Sequence, residues 1–235
     1  MDILYLISGA GFIALVIVFY FLLYKNLVRA IHATNWPEQK KKKISTGFIL
    51  TIVTWCILIA GISLSGFSSN FDRFPLNMGP WVMLPLLVSL TLLFTKTTKD
   101  IVEQLSLKAL TQLQVFRVFV EILLWLLFIQ NLLPIQMTFE GMNWDILTGI
   151  TALLAARFFL NSKRGMITWN ILGLVLLLNI VVISILSFPS PWRVFHNEPA
   201  NRIIAYFPFI YLPTLLVPLA YGLHFLSLRK LVMKP

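Results

Sequence analysis

The chain has 235 residues, of which 58% are hydrophobic and only 12% are charged. Soluble proteins carry about 25% charged residues, so this chain lacks the polar side chains that normally cover a water-exposed surface. Its mean hydropathy is +0.85. The single cysteine, Cys56, excludes a disulfide framework within the chain, and no paired Cys/His spacing indicates zinc. The composition therefore predicts a protein that is covered largely by lipid.

Seven apolar runs approach or exceed the length that crosses about 30 Å of hydrocarbon at about 1.5 Å per helical residue. In chain order they are Ile3–Tyr24, Ile44–Phe67, Met78–Thr95, Val115–Leu133, Ile146–Leu160, Ile167–Phe188 and Ile203–Leu228. The third and fifth runs are short for a span, and each can be tilted or partly re-entrant. The sequence predicts an all-α polytopic membrane protein in which residues 1–235 form one domain, a bundle of seven transmembrane helices.

The distribution of Lys and Arg predicts the orientation. If the N-terminus is outside, fourteen basic residues fall in inner loops and the C-terminal tail, Lys234 included, and only Arg73, Arg193 and Arg202 fall outside. This bias follows the positive-inside rule and predicts a cytoplasmic C-terminus. We interpret the net charge of +10, and the Lys40–Lys43 run within it, as an orientation signal beside anionic lipid rather than a nucleic-acid site. The basic cluster follows the first run, unlike that of a signal peptide, so this run is expected to remain as an anchor.

One amphipathic segment lies between the third and fourth runs. From Lys96 to Gln114, apolar residues recur at Val102, Leu105, Ala109 and Leu113, which is one stripe of a helix. Two placements are open. The segment either lies in the cytoplasmic interface or extends a neighbouring helix.

Two short stretches resemble known sequences. Met137–Gly141 (MTFEG) and Asn197–Asn201 (NEPAN) are similar to stretches of uncharacterised bacterial multi-pass membrane proteins, and the similarity runs from about Arg117 onward. The resemblance implies a bacterial inner (plasma) membrane. It implies no activity, substrate or cofactor.

Charged residues within the predicted helices are the first candidates for a site. Arg117 and Glu121 lie one turn apart on the fourth helix and are expected to pair directly. Arg157, Asn170 and His224 are expected at a similar depth, toward the cytoplasmic side. Ionisable groups in a bilayer usually face protein or a water-filled cavity. The functional interpretation is a polar vestibule in which Glu121 holds an ion or proton and His224 relays it. The structural alternative is a buried ion pair, with Arg157 and His224 snorkelling to the interface.

Prolines and outer polar residues supply two further features. Pro208, Pro213 and Pro218 are expected to bend or open the seventh helix, either to form a site or as kinks that neighbouring helices tolerate. A polar outer mouth is predicted in the fourth and sixth loops, and it consists of Glu140, Asn143, Asp145, Asn197, Glu198 and Asn201. Its alternatives are a weak cation site and a polar cap beside an interfacial aromatic belt.

Enzymatic signatures are weak. The chain has no His-Glu-x-x-His motif, the seventh run has no lysine for a retinal, and Ser63 and Ser65 are predicted at the opposite face from His224. We therefore expect no catalytic residue, no metal and no cofactor. The function that fits is a transporter or channel for a small solute or ion. The alternative is a membrane sensor or an assembly or scaffold protein. The lipid bilayer is the expected partner, and homo-oligomerisation is left open.

Overall fold

The chain is all-α, as predicted. The computed structural model describes residues 3–233, and within that range it contains nine α-helices. They are α1 (Ile3–His32), α2 (Glu38–Leu64), α3 (Gly79–Leu93), α4 (Lys96–Gln104), α5 (Leu107–Leu113), α6 (Phe116–Ile129), α7 (Ile146–Phe158), α8 (Lys163–Leu186) and α9 (Val217–Met233). Short 3-10 turns lie at Phe71–Arg73, Ile135–Met137 and Ile203–Ala205, and a π-helical turn at Leu212–Leu216 leads into α9.

Five helical stretches of residues 3–233 are long and apolar enough to cross a membrane. They are α1, α2, the α5–α6 stretch Leu107–Ile129, α8, and the stretch Leu212–Met233 that includes α9. α3 and α4 are bent by 80° at the short break between them, and they add a sixth span only if the two helices are counted together. α7 has only 13 residues. The structure therefore agrees with the apolar helices of a membrane protein and counts fewer full-length spans than the seven predicted.

The two ends of the bundle differ in charge. At one end Trp36 Nε1 donates to Asp100 at 3.1 Å and Lys230 Nζ donates to the Val102 carbonyl at 3.0 Å, which joins the end of α1 to α4 and to the end of α9. We call this the basic end. At the opposite end the Ser68 hydroxyl donates to the Ala205 carbonyl at 2.6 Å. All the predicted inner basic residues lie at or next to the basic end except Lys234, which is outside the described residues.

The amphipathic segment forms two helices rather than one. Thr95 and Ser106 each cap a helix, because their hydroxyls accept from the N–H of Thr98 and Ala109. α4, capped by Thr95, turns across the basic end. α5, capped by Ser106, instead continues with α6 as one apolar stretch. The second half of the segment therefore extends a neighbouring helix, which is one of the two predicted placements.

The segment between α6 and α7 is a loop that folds back into the bundle. Trp125 Nε1, on α6, donates to Glu140 at 2.8 Å, so the chain returns alongside the helix it has just left. Gly141 makes this turn possible, because a Cβ there would collide with the carbonyl of Ile135. As a result α7 begins deep in the bundle, and it covers all but the last two residues of the predicted fifth run, Ile146–Leu160.

The predicted seventh helix is wrong over its first part. The sequence predicts a helix from Ile203, but Ile203–Tyr211 is a 3-10 turn and irregular backbone, and helical structure begins at Leu212. Side chains satisfy backbone groups that lack a helical partner. The Ala205 carbonyl, for example, accepts from Ser63 at 3.0 Å as well as from Ser68. This buried segment can be irregular because its neighbours supply the hydrogen bonds.

The three prolines occupy three different local structures. Pro208 precedes the helix, Pro213 lies in the π-helical turn and Pro218 is the second residue of α9. Because Pro218 has no N–H, it leaves the Thr214 carbonyl without its helical donor. Trp55 Nε1 of α2 donates to that carbonyl at 3.1 Å. The proline break is therefore stabilised by a specific contact from a neighbouring helix.

Candidate functional site

A buried ion pair lies at the centre of the bundle. Arg117, in the first turn of α6, donates through Nε to Asp145 Oδ2 at 2.6 Å, and its Nη2 pairs with Asp145 Oδ1. The two side chains are 2% and 7% exposed. Two-point contact of this kind is the strongest geometry for an arginine and a carboxylate. The expected direct pair of Arg117 with Glu121 is thus corrected: the partner is Asp145, which the sequence placed in the outer mouth.

The rest of the guanidinium is bonded to α8 and α9. Nη2 donates to the Gly173 carbonyl at 3.2 Å, and Nη1 lies 2.9 Å from His224 Nε2. An arginine has no acceptor, so Nε2 accepts, and the proton of a neutral ring is on Nδ1. Nδ1 then donates to Asn170 Oδ1 at 2.9 Å. Both ring nitrogens are occupied, so the contacts favour a structural role for His224 over the predicted relay.

Glycine at position 173 allows this contact between helices. A Cβ at Gly173 would lie 2.7 Å from His224 Nε2 and 3.0 Å from Thr148 Cγ2. These distances are shorter than van der Waals contact. α8 can therefore approach α9 and α7 this closely only without a side chain at this position.

Glu121 occupies a separate position beside the network. Asn143 Nδ2 lies 2.7 Å from both Glu121 carboxylate oxygens and 3.1 Å from the Met137 carbonyl. Asn143 Oδ1 accepts from the backbone N–H of Asp145 at 3.1 Å. Asn143 thus links Glu121 to the ion pair. Within residues 3–233 no basic side chain pairs with the Glu121 carboxylate.

The five predicted intramembrane residues are only partly brought together. Arg117, Asn170 and His224 form one network, and Glu121 adjoins it through Asn143. Arg157 does not join them: it is exposed at the end of α7, with its guanidinium over the Phe158 ring. Within the apolar stretch Leu107–Ile129, Arg117 lies near the middle rather than near the end that adjoins the basic end of the bundle.

The predicted outer mouth separates into four groups. Asn143 and Asp145 belong to the buried network described above, and Glu140 is exposed and bonded to Trp125. Asn201 is buried and donates to Ser184 Oγ at 2.9 Å. These residues therefore do not converge on one opening.

The remaining outer pair lies in the loop after α8. Asn197 donates to Gln136 Oε1 at 2.9 Å, and Glu198 accepts from Arg193 at 3.0 Å. The backbone N–H of Ala200 and the Arg193 guanidinium lower the pKa of Glu198 from its ordinary value. Each side chain has a partner within the loops, which favours the predicted polar cap. No group of three or more His, Cys, Asp or Glu within residues 3–233 is placed to hold a metal ion.

An apolar cavity adjoins Glu121. It has a volume of about 310 Å³ and lies between α3, α6, α8 and the start of α9. Its walls are almost entirely apolar, and Glu121 and Asp145 are the acidic residues that line it. Two of its wall residues, Met83 of α3 and Ile185 of α8, are exposed on the outside of the bundle. The cavity therefore combines an apolar interior with a carboxylate, at a position flanked by α3 and α8.

No motif or local spacing indicated that Asp145 and Asn143 are the partners of the α6 charges. They lie 28 and 22 positions further along the chain, beyond a loop that looks like ordinary outer connection. One physical signal was present. A buried arginine requires an acidic partner, and Asp145 is the acidic residue at the start of the next apolar run.

Comparison with protein families gives one match. The family described as "Domain of unknown function (DUF8737)" matches residues 73–232, from the last residue of the 3-10 turn Phe71–Arg73 to the last turn of α9. The chain belongs to this family. The matched region contains the whole network and the cavity, whereas α1 and α2 lie outside it. No curated protein and no solved structure matches the chain.

Proposed function

We propose that this DUF8737 member is an integral protein of a bacterial inner membrane that crosses the bilayer seven times, with its N-terminus outside and its basic end in the cytoplasm. The apolar helices and the charge difference between the two ends support this orientation. In this proposal α3 crosses alone and α4 lies along the cytoplasmic interface. α7 completes the fifth crossing together with the buried loop before it.

We propose further that the protein transports a small solute that binds in the cavity at Glu121. The observation that carries this proposal is a buried carboxylate that adjoins an apolar cavity and has an amide donor but, within residues 3–233, no basic side chain at ion-pair distance. A charge in such a place is costly unless it is paired or protonated. A solute with an amine group and an apolar body would supply both the missing cation and the missing packing.

The network beside the cavity supplies rigidity rather than a path for ions. Arg117 is bonded to both Asp145 and His224, and His224 is bonded in turn to Asn170, so these side chains use their hydrogen-bonding groups on one another. The apolar cavity walls offer few groups that could replace the hydration shell of an inorganic ion. The arrangement thus supports an amphipathic solute more than a channel for ions.

The second candidate is a sensor that binds the same class of molecule without moving it. The observation that favours it is the buried network, which joins α6, α7, α8 and α9 by hydrogen bonds. Helices joined in this way resist the movement that transport requires. An assembly or scaffold protein would not require the cavity. Binding distinguishes both transporters and sensors from a scaffold, and flux distinguishes a transporter from a sensor.

The test of the site is ligand-dependent stabilisation. Purified protein in lipid nanodiscs is heated with short-chain alkylamines, the matching alcohols and the matching carboxylates. Because a ligand that binds only the folded state stabilises it, we expect the amines to raise the unfolding temperature of the wild type. Glu121→Gln should abolish the increase, whereas Glu140→Gln, which changes an exposed carboxylate, should preserve it. Equal responses of wild type and Glu121→Gln would overturn the proposed site.

A further inference from the structure

A second concave site lies at the basic end, away from Glu121. This groove has a volume of about 660 Å³ and is formed between the last turns of α1, the α4–α5 region and one residue of α7. The lining residues that matter for its chemistry are Phe19, Leu22, Asn26, Arg29, Lys108 and Leu113. None of these residues is acidic.

The groove is graded from apolar to basic along its length. On α1, Phe19, Leu22, Asn26 and Arg29 follow one another at spacings of three and four residues, which places them on one face of the helix. The face is apolar at Phe19 and cationic at Arg29. The two positions are ten residues apart and therefore lie about 15 Å apart along the helix axis, roughly half the thickness of a bilayer's hydrocarbon core.

The opposite wall has the same gradient in the same direction. α5 begins at the basic end with Lys108 and continues through Gln112 to Leu113 and Val115. Since α1 runs toward the basic end and α5 runs away from it, their basic residues come together at one end of the groove. Arg29 and Lys108 are both exposed. Within residues 3–233 neither side chain forms an ion pair or a hydrogen bond.

We propose that this groove binds an anionic phospholipid of the cytoplasmic leaflet. Arg29 and Lys108 bind the phosphate. The side chains of Asn26, Gln112 and Ser106 donate hydrogen bonds to the head group. An acyl chain packs along Phe19, Leu22 and Leu113. Basic pockets between helices on the cytoplasmic side suit such head groups. The length of the groove matches one leaflet, which selects a lipid over free phosphate. The inference rests on the proposed membrane orientation but not on the proposed transport.

Native mass spectrometry of the purified full chain tests the inference. The delipidated protein is titrated with phosphatidylglycerol and with phosphatidylcholine of identical acyl chains. We expect at least about tenfold tighter binding of phosphatidylglycerol. Arg29→Ala with Lys108→Ala should remove this preference. The matched control, Lys42→Ala with Lys99→Ala, removes the same charge from exposed sites outside the groove and should keep affinity within about twofold.

Two further measurements separate the alternatives. Ala109→Trp keeps every charge but fills the groove, so it should weaken phosphatidylglycerol binding about tenfold, and inorganic phosphate at the same concentration should not displace the lipid. The proposal is overturned if phosphatidylcholine binds equally well, if the control double variant loses affinity as the groove variant does, or if inorganic phosphate competes. Glu121→Gln should bind lipid like the wild type, so failure of the solute site would leave this result unaffected.

Discussion

Arg117 and Asp145 form a two-point ion pair in the interior of the bundle, although α6 and the whole loop that follows it separate them in the chain. The pair fixes where α7 begins, because Asp145 is the residue before its first turn. It also holds α8 through Gly173 and α9 through His224. One guanidinium thus joins four helices.

The ion pair predicts strongly non-additive mutational effects. Arg117→Met and Asp145→Asn each leave one buried group without its charged partner, so each should lower the free energy of unfolding by about 3–5 kcal/mol. The double variant should lose less than the sum of the two by at least about 2 kcal/mol. Unfolding in mixed detergent micelles, followed by circular dichroism, measures these energies.

Arg157→Met is the matched control for this cycle. It removes one arginine from an exposed position on α7 and should change the free energy of unfolding by no more than about 0.5 kcal/mol. Additive energies for Arg117→Met and Asp145→Asn would show that the two residues do not interact, and would contradict the network.

The contact of α8 with α9 predicts that position 173 requires glycine. In Gly173→Ala the new Cβ meets the His224 ring and Thr148, so the protein should be destabilised by about 1–3 kcal/mol. Gly222→Ala on α9 is the control, because nothing lies within 4 Å of a Cβ there. That variant should keep or slightly raise the unfolding temperature. Equal tolerance of the two substitutions would exclude the close approach.

His224 is predicted to be neutral, with its proton on Nδ1. Its Nε2 faces an arginine, which can only donate, and its Nδ1 faces Asn170 Oδ1. Solid-state NMR of ¹⁵N-histidine protein in lipid should show a protonated Nδ1 and an unprotonated Nε2 at neutral pH. Comparison with His224→Asn separates this signal from those of His32 and His196. A protonated Nε2 would contradict the assigned network.

The proposed orientation predicts which positions a membrane-impermeant maleimide can reach. Cys56 is first replaced by Ala, and single cysteines are then placed at exposed positions of each end. In intact cells, Asn70→Cys and His196→Cys should react, whereas Lys42→Cys and Arg164→Cys should react only after the membrane is permeabilised. The reverse pattern would invert the topology. Reaction of all four in intact cells, or of none, would place both ends on the same side of the membrane and contradict the proposed topology.

Periodicity and length were sufficient to predict the helices whose apolar runs are long. α1, α2 and α8 overlap closely with their predicted runs. A long apolar run forms a helix because the helix satisfies the backbone N–H and C=O groups within the run itself. The irregular stretch Ile203–Tyr211 is equally apolar. Hydropathy does not reveal that Ser63 and Ser68 will bond its backbone, so the helix was predicted nine residues too early.

The site was harder to predict than the fold because its geometry depends on a loop. Spacing on one helix suggested that Arg117 and Glu121 pair, which is a local interaction. The folded chain instead returns past Gly141 and brings Asn143 and Asp145 to them. Local spacing identified which side chains are unusual, but tertiary structure decided their partners. The cavity beside Glu121 likewise arises from four separate elements and has no sequence motif.

The central claim, that Glu121 binds a transported solute, is tested most directly by flux. Proteoliposomes containing wild type, Glu121→Gln or Glu140→Gln are compared for uptake of a radiolabelled alkylamine that stabilises the wild type. We expect uptake by wild type and Glu140→Gln above that of protein-free liposomes, and at least about tenfold slower protein-dependent uptake by Glu121→Gln. Protein-dependent uptake by Glu121→Gln at the wild-type rate would contradict the claim, and binding without any uptake would identify the protein as a sensor.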